Sequence, residues 1–199
     1  MKTITALVFE NYETLDLFGP IEVFGSLKEY YRVQFASLAG GVVKNHHGVE
    51  LLTNNTDNLL FGTDILLIVG GQGTRQLVED KLFLEVLKKL SENAQWVLSV
   101  CTGSALLAKS GLLEGKQATS NKRSWQWVIS QSNQVNWIQE ARWVIDDKFY
   151  TSSGVSAGID MTLGFIADRH DLETARKIAK EIEYNWQENS QIDNFWDVF

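Results

Sequence analysis

The run Trp96-Val97-Leu98-Ser99-Val100-Cys101-Thr102-Gly103-Ser104-Ala105-Leu106-Leu107-Ala108 passes from a short apolar stretch into a helical one with no linker between them. Its first five residues are too few for an independent helix and suit a buried strand. Thr102, Gly103, Ser104 and Ala105 are small, as a tight strand-to-helix turn requires. Cys101 therefore falls at a nucleophile elbow, a strained turn that lifts one side chain out of the carboxyl edge of a sheet into a crevice. The free N–H groups and positive dipole end of the new helix are expected to favour a thiolate, lowering the pKa from the free value of about 8.5. A lone cysteine also packs as a small core hydrophobe, and the elbow setting argues against that alternative.

Working outward, Ile4-Thr5-Ala6-Leu7-Val8-Phe9, Val33-Gln34-Phe35-Ala36 and Ile65-Leu66-Leu67-Ile68-Val69 are further short apolar runs that read as strands. Amphipathic stretches at 16–28 and 82–90 lie between them and read as helices, with Pro20 tolerable only in a first turn. Strands apolar on both faces and separated by helices indicate a flavodoxin-like, doubly wound α/β sandwich with a mainly parallel sheet. Residues 40–48, with Gly40-Gly41 and Asn45-His46-His47-Gly48, suggest a hairpin or excursion at the sheet edge, to which no chemistry is attached. Arg142-Trp143-Val144-Ile145 and Lys148-Phe149-Tyr150-Thr151 flank Asp146-Asp147 as a second hairpin. Helices at 156–167 and 172–184 follow, with Ser156 and Asp171 placed as N-caps. Residues 185–199 have no period and read as a tail packed by Trp186, Phe195 and Trp196.

No repeat, linker or low-complexity segment divides the 199 residues, so one domain spanning 1–199 is expected. A net charge of -7 has the wrong sign for collecting phosphate backbones, which argues against a nucleic-acid partner. One cysteine cannot close an intrachain disulfide, which fits a reducing compartment. The N-terminus carries no secretory signal pattern and no apolar run reaches membrane-spanning length, so a soluble cytoplasmic protein is expected.

Two further stretches fall where ligands bind in a doubly wound sheet, beyond the carboxyl ends of the strands. In Ile68-Val69-Gly70-Gly71-Gln72-Gly73-Thr74-Arg75, the glycines allow backbone N–H groups to approach a ligand or form an oxyanion hole, and a plain strand-to-loop turn is the alternative. No third Gly or Lys-Ser/Thr follows to complete a nucleotide-binding loop. In Leu15-Asp16-Leu17-Phe18-Gly19-Pro20, Asp16 stands where a helix N-cap belongs, and capping is favoured over proton exchange with Cys101. His46, His47 and His170 are scattered, so Cys101 has no evident histidine base, and no metal-ligand spacing is present.

Together these motifs and Gly154-Val155-Ser156-Ala157-Gly158-Ile159-Asp160 resemble the DJ-1/PfpI superfamily (ThiJ/PfpI, glutamine amidotransferase-like) over nearly the whole chain. The Leu-Asp-Leu-Phe-Gly-Pro and Cys-Thr-Gly pieces are most similar to the isocyanide hydratase branch and to the ligand-binding domains of AraC-type regulators. That resemblance implies Cys101 as nucleophile, Asp16 as its proton-transfer partner, and Gly70, Gly71 and Thr102 as oxyanion or backbone-positioning residues, with Asn121 and Gly154 at the pocket. Many relatives carry Thr-Thr-His-Trp after the elbow, whereas this chain has Thr119-Ser120-Asn121-Lys122-Arg123, and Val69 replaces the Pro common before the glycine pair.

The implied activity is hydration or hydrolysis of a small electrophile, with isocyanide hydration to an N-formamide as the concrete case. No cofactor or metal is implied, and the partners are a small-molecule substrate and a second copy in a homodimer, with no nucleic acid and no membrane. The alternatives are glyoxalase- or deglycase-like chemistry, redox sensing by the thiol, and a non-catalytic binding domain akin to those of the regulators. Proteolysis or amidase chemistry is disfavoured for want of a histidine. Lys122, Arg123, Trp125 and Trp127 read as a solvated helix with a buried aromatic face rather than as pocket lining.

Overall fold

In the computed structural model, which describes residues 1–59 and 62–198, the chain alternates strands and helices as the periodicity predicts. It runs β1 (Lys2–Leu7), α1 (Thr14–Gly25), β2 (Tyr31–Ser37), β3 (Gly41–Lys44), β4 (Glu50–Asn55), β5 (Ile65–Ile68), α2 (Thr74–Leu77), α3 (Lys81–Asn93), β6 (Trp96–Ser99) and α4 (Gly103–Lys109). After these come β7 (Gln117–Ala118), α5 (Trp125–Ile129), β8 (Asn136–Trp137), β9 (Trp143–Asp146), β10 (Phe149–Ser152), α6 (Ala157–Arg169) and α7 (Leu172–Glu181).

Among the described residues the main sheet has eight strands in the order β3-β4-β2-β1-β5-β6-β10-β9. All neighbours from β4 to β10 pair in parallel, and the antiparallel pairs β3/β4 and β9/β10 form the two edges. Every residue of Ile65–Ile68 is buried, the pattern of a strand covered on both faces. The edge excursion is thus a β-hairpin, and the Asp146-Asp147 turn joins the second.

Register explains why three loops meet. Leu7 pairs with Ile68, Ile68 with Ser99, and Thr151 with Ser99, so β1, β5, β6 and β10 end level with one another. The segments after them leave from the same carboxyl edge. An antiparallel bridge between Tyr12 and Gly71, with Glu13 N–H donating to Gly70 O at 2.9 Å, ties the first loop to the second.

Several local expectations change. Helix α1 begins at Thr14 behind Glu13, so Asp16 lies inside the first turn and does not cap it. Pro20 sits inside that helix rather than in its first turn, removing the N–H that would bond the Asp16 carbonyl. Asp171 does cap α7, accepting from Thr174 N–H, whereas the Ser156 side chain makes no cap bond. In the tail, Trp186 packs against the core as expected, whereas Phe195 and Trp196 are exposed and the fully buried Asp193 carboxylate anchors the segment in their place; Phe199 lies outside the described residues.

Candidate functional site

Cys101 lies immediately beyond β6 with φ 57°, a left-handed conformation that few non-glycine residues adopt. The turn is held by its own polar atoms. Cys101 N–H donates to Ser153 O at 3.1 Å, and its carbonyl accepts from Ser120 Oγ at 2.8 Å and Ser104 Oγ at 3.1 Å. The nucleophile-elbow geometry is therefore present, fixed from β10, from α4 and from the 119–124 segment together.

Asp16 reaches the same point from α1 and is completely buried. Its Oδ2 accepts the Gly70 N–H at 2.9 Å, and its Oδ1 has no hydrogen-bond partner among the described residues. Burial drives the Asp16 pKa well above the usual carboxylate value; the Gly70 amide opposes this, the Glu13 charge adds to it, and the Cys101 side chain opposes it. Burial likewise pushes the Cys101 thiol well above its ordinary value, and the Asp16 charge pushes it further. The Thr102 and Val155 amides and the Thr102 side chain bond the sulfur and act in the opposite direction without prevailing. The expected lowering by the helix terminus is overturned, because two desolvated acids share one site and compete to stay protonated.

Gly70 and Gly71 were expected to offer their amides to a reacting centre. Instead the Gly70 amide serves Asp16, and the Gly71 amide donates to Thr102 Oγ1 at 3.0 Å. Thr74 Oγ1 donates to the same hydroxyl at 3.1 Å. These amides orient the acid and Thr102 rather than point at a reacting centre. A Cβ on Gly70 would come within 2.7 Å of the Thr102 backbone nitrogen and 2.8 Å of Asp16 Oδ2, so the loops can close this tightly only around glycine. Gly71 is required for its φ of +125°.

Cys101, Thr102, Gly71 and Asn121 line a cavity of about 640 Å³, together with Glu13, His46, Gln72, Arg75, Arg123, Ser124 and Val155. Asn121 Oδ1 accepts the Ser124 N–H at 2.9 Å, and its side-chain nitrogen packs against Gly154, which stands behind it. The turn of the β3/β4 edge hairpin reaches the site, since His46 lines the cavity from it. Arg123 also lines the cavity, whereas Trp125 and Lys122 are buried. Val155, whose amide meets the sulfur at φ 52°, was not singled out individually by the sequence. Its signal was its position directly after β10, level with Cys101. Among the described residues no group of three His, Cys, Asp or Glu could hold a metal ion, and no helix is long and apolar enough to cross a membrane.

The chain matches the DJ-1/PfpI family over residues 2–168. It is 30% identical over 178 residues to an isonitrile hydratase of Pseudomonas putida, covering 89% of this chain and 76% of that one. The HTH-type transcriptional regulator CdhR of Pseudomonas aeruginosa is 29% identical over 153 residues, 77% of this chain but 45% of the regulator. A ThiJ/PfpI family protein from Pseudomonas syringae superposes with a TM-score of 0.80 at 28% identity, covering 92% of this chain and 75% of that one. Relatives of this chain thus include an enzyme and a regulator. With the sheet, the elbow and the match over residues 2–168 all in agreement, the chain belongs to the DJ-1/PfpI family.

Proposed function

We propose that the protein is a cysteine-dependent hydratase of a small electrophile, acting as in the hydration of an isocyanide to an N-formamide. The observation that carries this is the buried Asp16 carboxyl beside Cys101, with one oxygen fixed by Gly70 and the other without a partner. An acid kept protonated by burial is suited to delivering a proton at neutral pH. The Cys101 sulfur bonds to the terminal carbon, and the thiol proton passes through Asp16 to that same carbon, leaving a thioimidate. Water then adds to the carbon, the C–S bond breaks, the proton returns to the sulfur and the N-formamide departs. One water is consumed, and no cofactor is required.

Asn121 supports this choice over a histidine-assisted hydrolase, since its side-chain oxygen is committed to Ser124 and an amide cannot serve as a base. A second reading, a ligand-binding module, is favoured by one observation. The buried thiol is held protonated, which weakens it as a nucleophile until Asp16 or a substrate draws the proton away. Hydration of an aryl isocyanide, followed by absorbance, separates the two. Turnover by the unaltered protein with a loss of about 10³-fold or more in Cys101→Ala and in Asp16→Asn is expected. Absence of turnover across neutral and carboxylate-bearing isocyanides would leave the binding module.

A further inference from the structure

Resting on that hydratase reading, we propose that the natural substrate carries an anionic group, a carboxylate in the simplest case, which Arg75 receives while Cys101 meets the electrophilic carbon. The composition of the cavity is the first ground. Among its described lining residues only Val155 has an aliphatic side chain and only His46 an aromatic ring, the others being polar, charged or glycine, whereas sites for neutral organic molecules are lined mainly by apolar groups. Within the cavity itself a neutral aryl or alkyl tail finds little apolar surface, the Trp125 and Trp127 indoles lining the adjoining depression instead.

The second ground is the state of Arg75. Its guanidinium lies 3.3 Å from the centre of the Trp127 ring, and Nη2 donates to Ser124 Oγ at 3.1 Å, so the plane of the fork is fixed before any ligand arrives. Nη1 is buried without a hydrogen-bond partner, and no carboxylate pairs with Arg75 among the described residues. A half-buried cation with one donor unused is poorly compensated, and arginine's planar fork matches two-oxygen anions. Trp127 explains how the side chain is held flat, yet stacking supplies no acceptor.

Third, a second cation stands beside the first, against a single acid in the described lining. Arg123 lines the same cavity and likewise has no carboxylate partner among the described residues. Glu13, the one acid lining it, has His47 Nδ1 at 3.9 Å from its Oε1. An adjoining depression of about 340 Å³ shares Arg75, Arg123 and Ser124 with the main cavity, leaving room for an anionic tail to extend away from the thiol.

The test uses the full chain and 4-formamidobenzoate, the hydration product of 4-isocyanobenzoate, against its methyl ester. Calorimetry of the unaltered protein is expected to show the acid binding at least about tenfold tighter than the ester, with that preference lost in Arg75→Gln and partly kept in Arg75→Lys. In turnover, the kcat/KM ratio of 4-isocyanobenzoate to its methyl ester is expected to fall toward one in Arg75→Gln. Equal binding of acid and ester by the unaltered protein would overturn the proposal without any variant, as would a preference that survives in Arg75→Gln. The binding arm needs no catalysis, so acid-selective binding without isocyanide turnover would defeat the hydratase reading and leave the anion site standing.

Discussion

Two clusters of buried ionisable groups meet the segment 119–124, and they are built in opposite ways. Around Arg142 the charges are paired. Its Nε and Nη2 donate to Asp160 Oδ2 at 2.9 and 2.7 Å, its Nη1 lies 3.4 Å from Asp193 Oδ1, and Lys122 Nζ donates to Thr119 Oγ1 and Ala141 O at 2.8 and 2.9 Å. This network holds the tail, since Asp160 Oδ1 also accepts the Gln187 N–H and Arg142 N–H donates to Ser190 O. Around Cys101, by contrast, two acids are buried side by side, and among the described residues no cation forms an ion pair with Asp16. Burial of charge alone therefore does not mark the functional site; burial that leaves acids uncompensated does.

The largest stability effect should come from the paired cluster. Arg142→Met leaves the buried Asp160 carboxylate without its cation and Asp193 with only Lys122, 3.7 Å away, and is expected to cost about 3–5 kcal/mol, read from urea unfolding. A loss below about 1 kcal/mol would mean that the tail is held by other contacts and that the two clusters are less different than their geometry implies.

Asp16→Asn should act in the reverse direction. The folded-state pKa of Asp16 is raised, so its contribution to stability is fully present below its unfolded value and is lost as pH rises through the folded value. An asparagine keeps an acceptor for Gly70 N–H without that loss. The variant is expected to be inactive yet more stable by about 1–2 kcal/mol at pH 7, an advantage that shrinks as the pH is lowered toward 4. Thermal melts across that range measure it, and a less stable variant at neutral pH would show that the carboxylate is compensated by something unseen in the hydrogen bonding.

A smaller, related effect concerns the thiol itself. Iodoacetamide should label Cys101 slowly at neutral pH and faster only as alkali removes the proton, since burial and the Asp16 charge both raise the pKa. Asp16→Asn removes the charge but not the burial, so the labelling profile should move to lower pH while the thiol stays above its ordinary value. An unmoved profile would separate the two groups electrostatically and weaken the proton-sharing mechanism.

The order of strands and helices was legible because periodicity and apolar runs are local: 65–69 and 96–100 were each placed within a residue of β5 and β6. The elbow was legible for the same reason, as small residues directly after a strand leave few other turns. The relation between Cys101 and Asp16 was open from the strand-end position alone, where capping was the favoured account of an Asp, and it was the family resemblance that made Asp16 the partner. What the sequence could not convey was distance across the sheet. Arg75 and His46 converge on Cys101 only because the strand ends are level and the edge hairpin folds over, and the partners of the Gly70 and Gly71 amides depend on that closure. Nor does local chemistry give the sign of a pKa shift when burial outweighs the donors beside the sulfur.

Val155 offers the finest probe of the uncompensated site. Among the described residues with positive φ outside glycine, Asn11 and Asp147 are types that tolerate the left-handed region, whereas Val155 is β-branched and belongs there least. Its backbone is held there with its N–H on the Cys101 sulfur, and strain of this kind concentrates where geometry serves a site. Val155→Gly removes a steric cost of about 1–2 kcal/mol while adding about 0.5–1 kcal/mol of unfolded-chain entropy. The net expectation is a protein more stable by less than about 1 kcal/mol, with the amide still on the sulfur and the thiol's labelling profile unchanged. Destabilisation beyond about 1 kcal/mol would show that the partly exposed side chain, rather than the strand end behind it, holds this loop against Cys101.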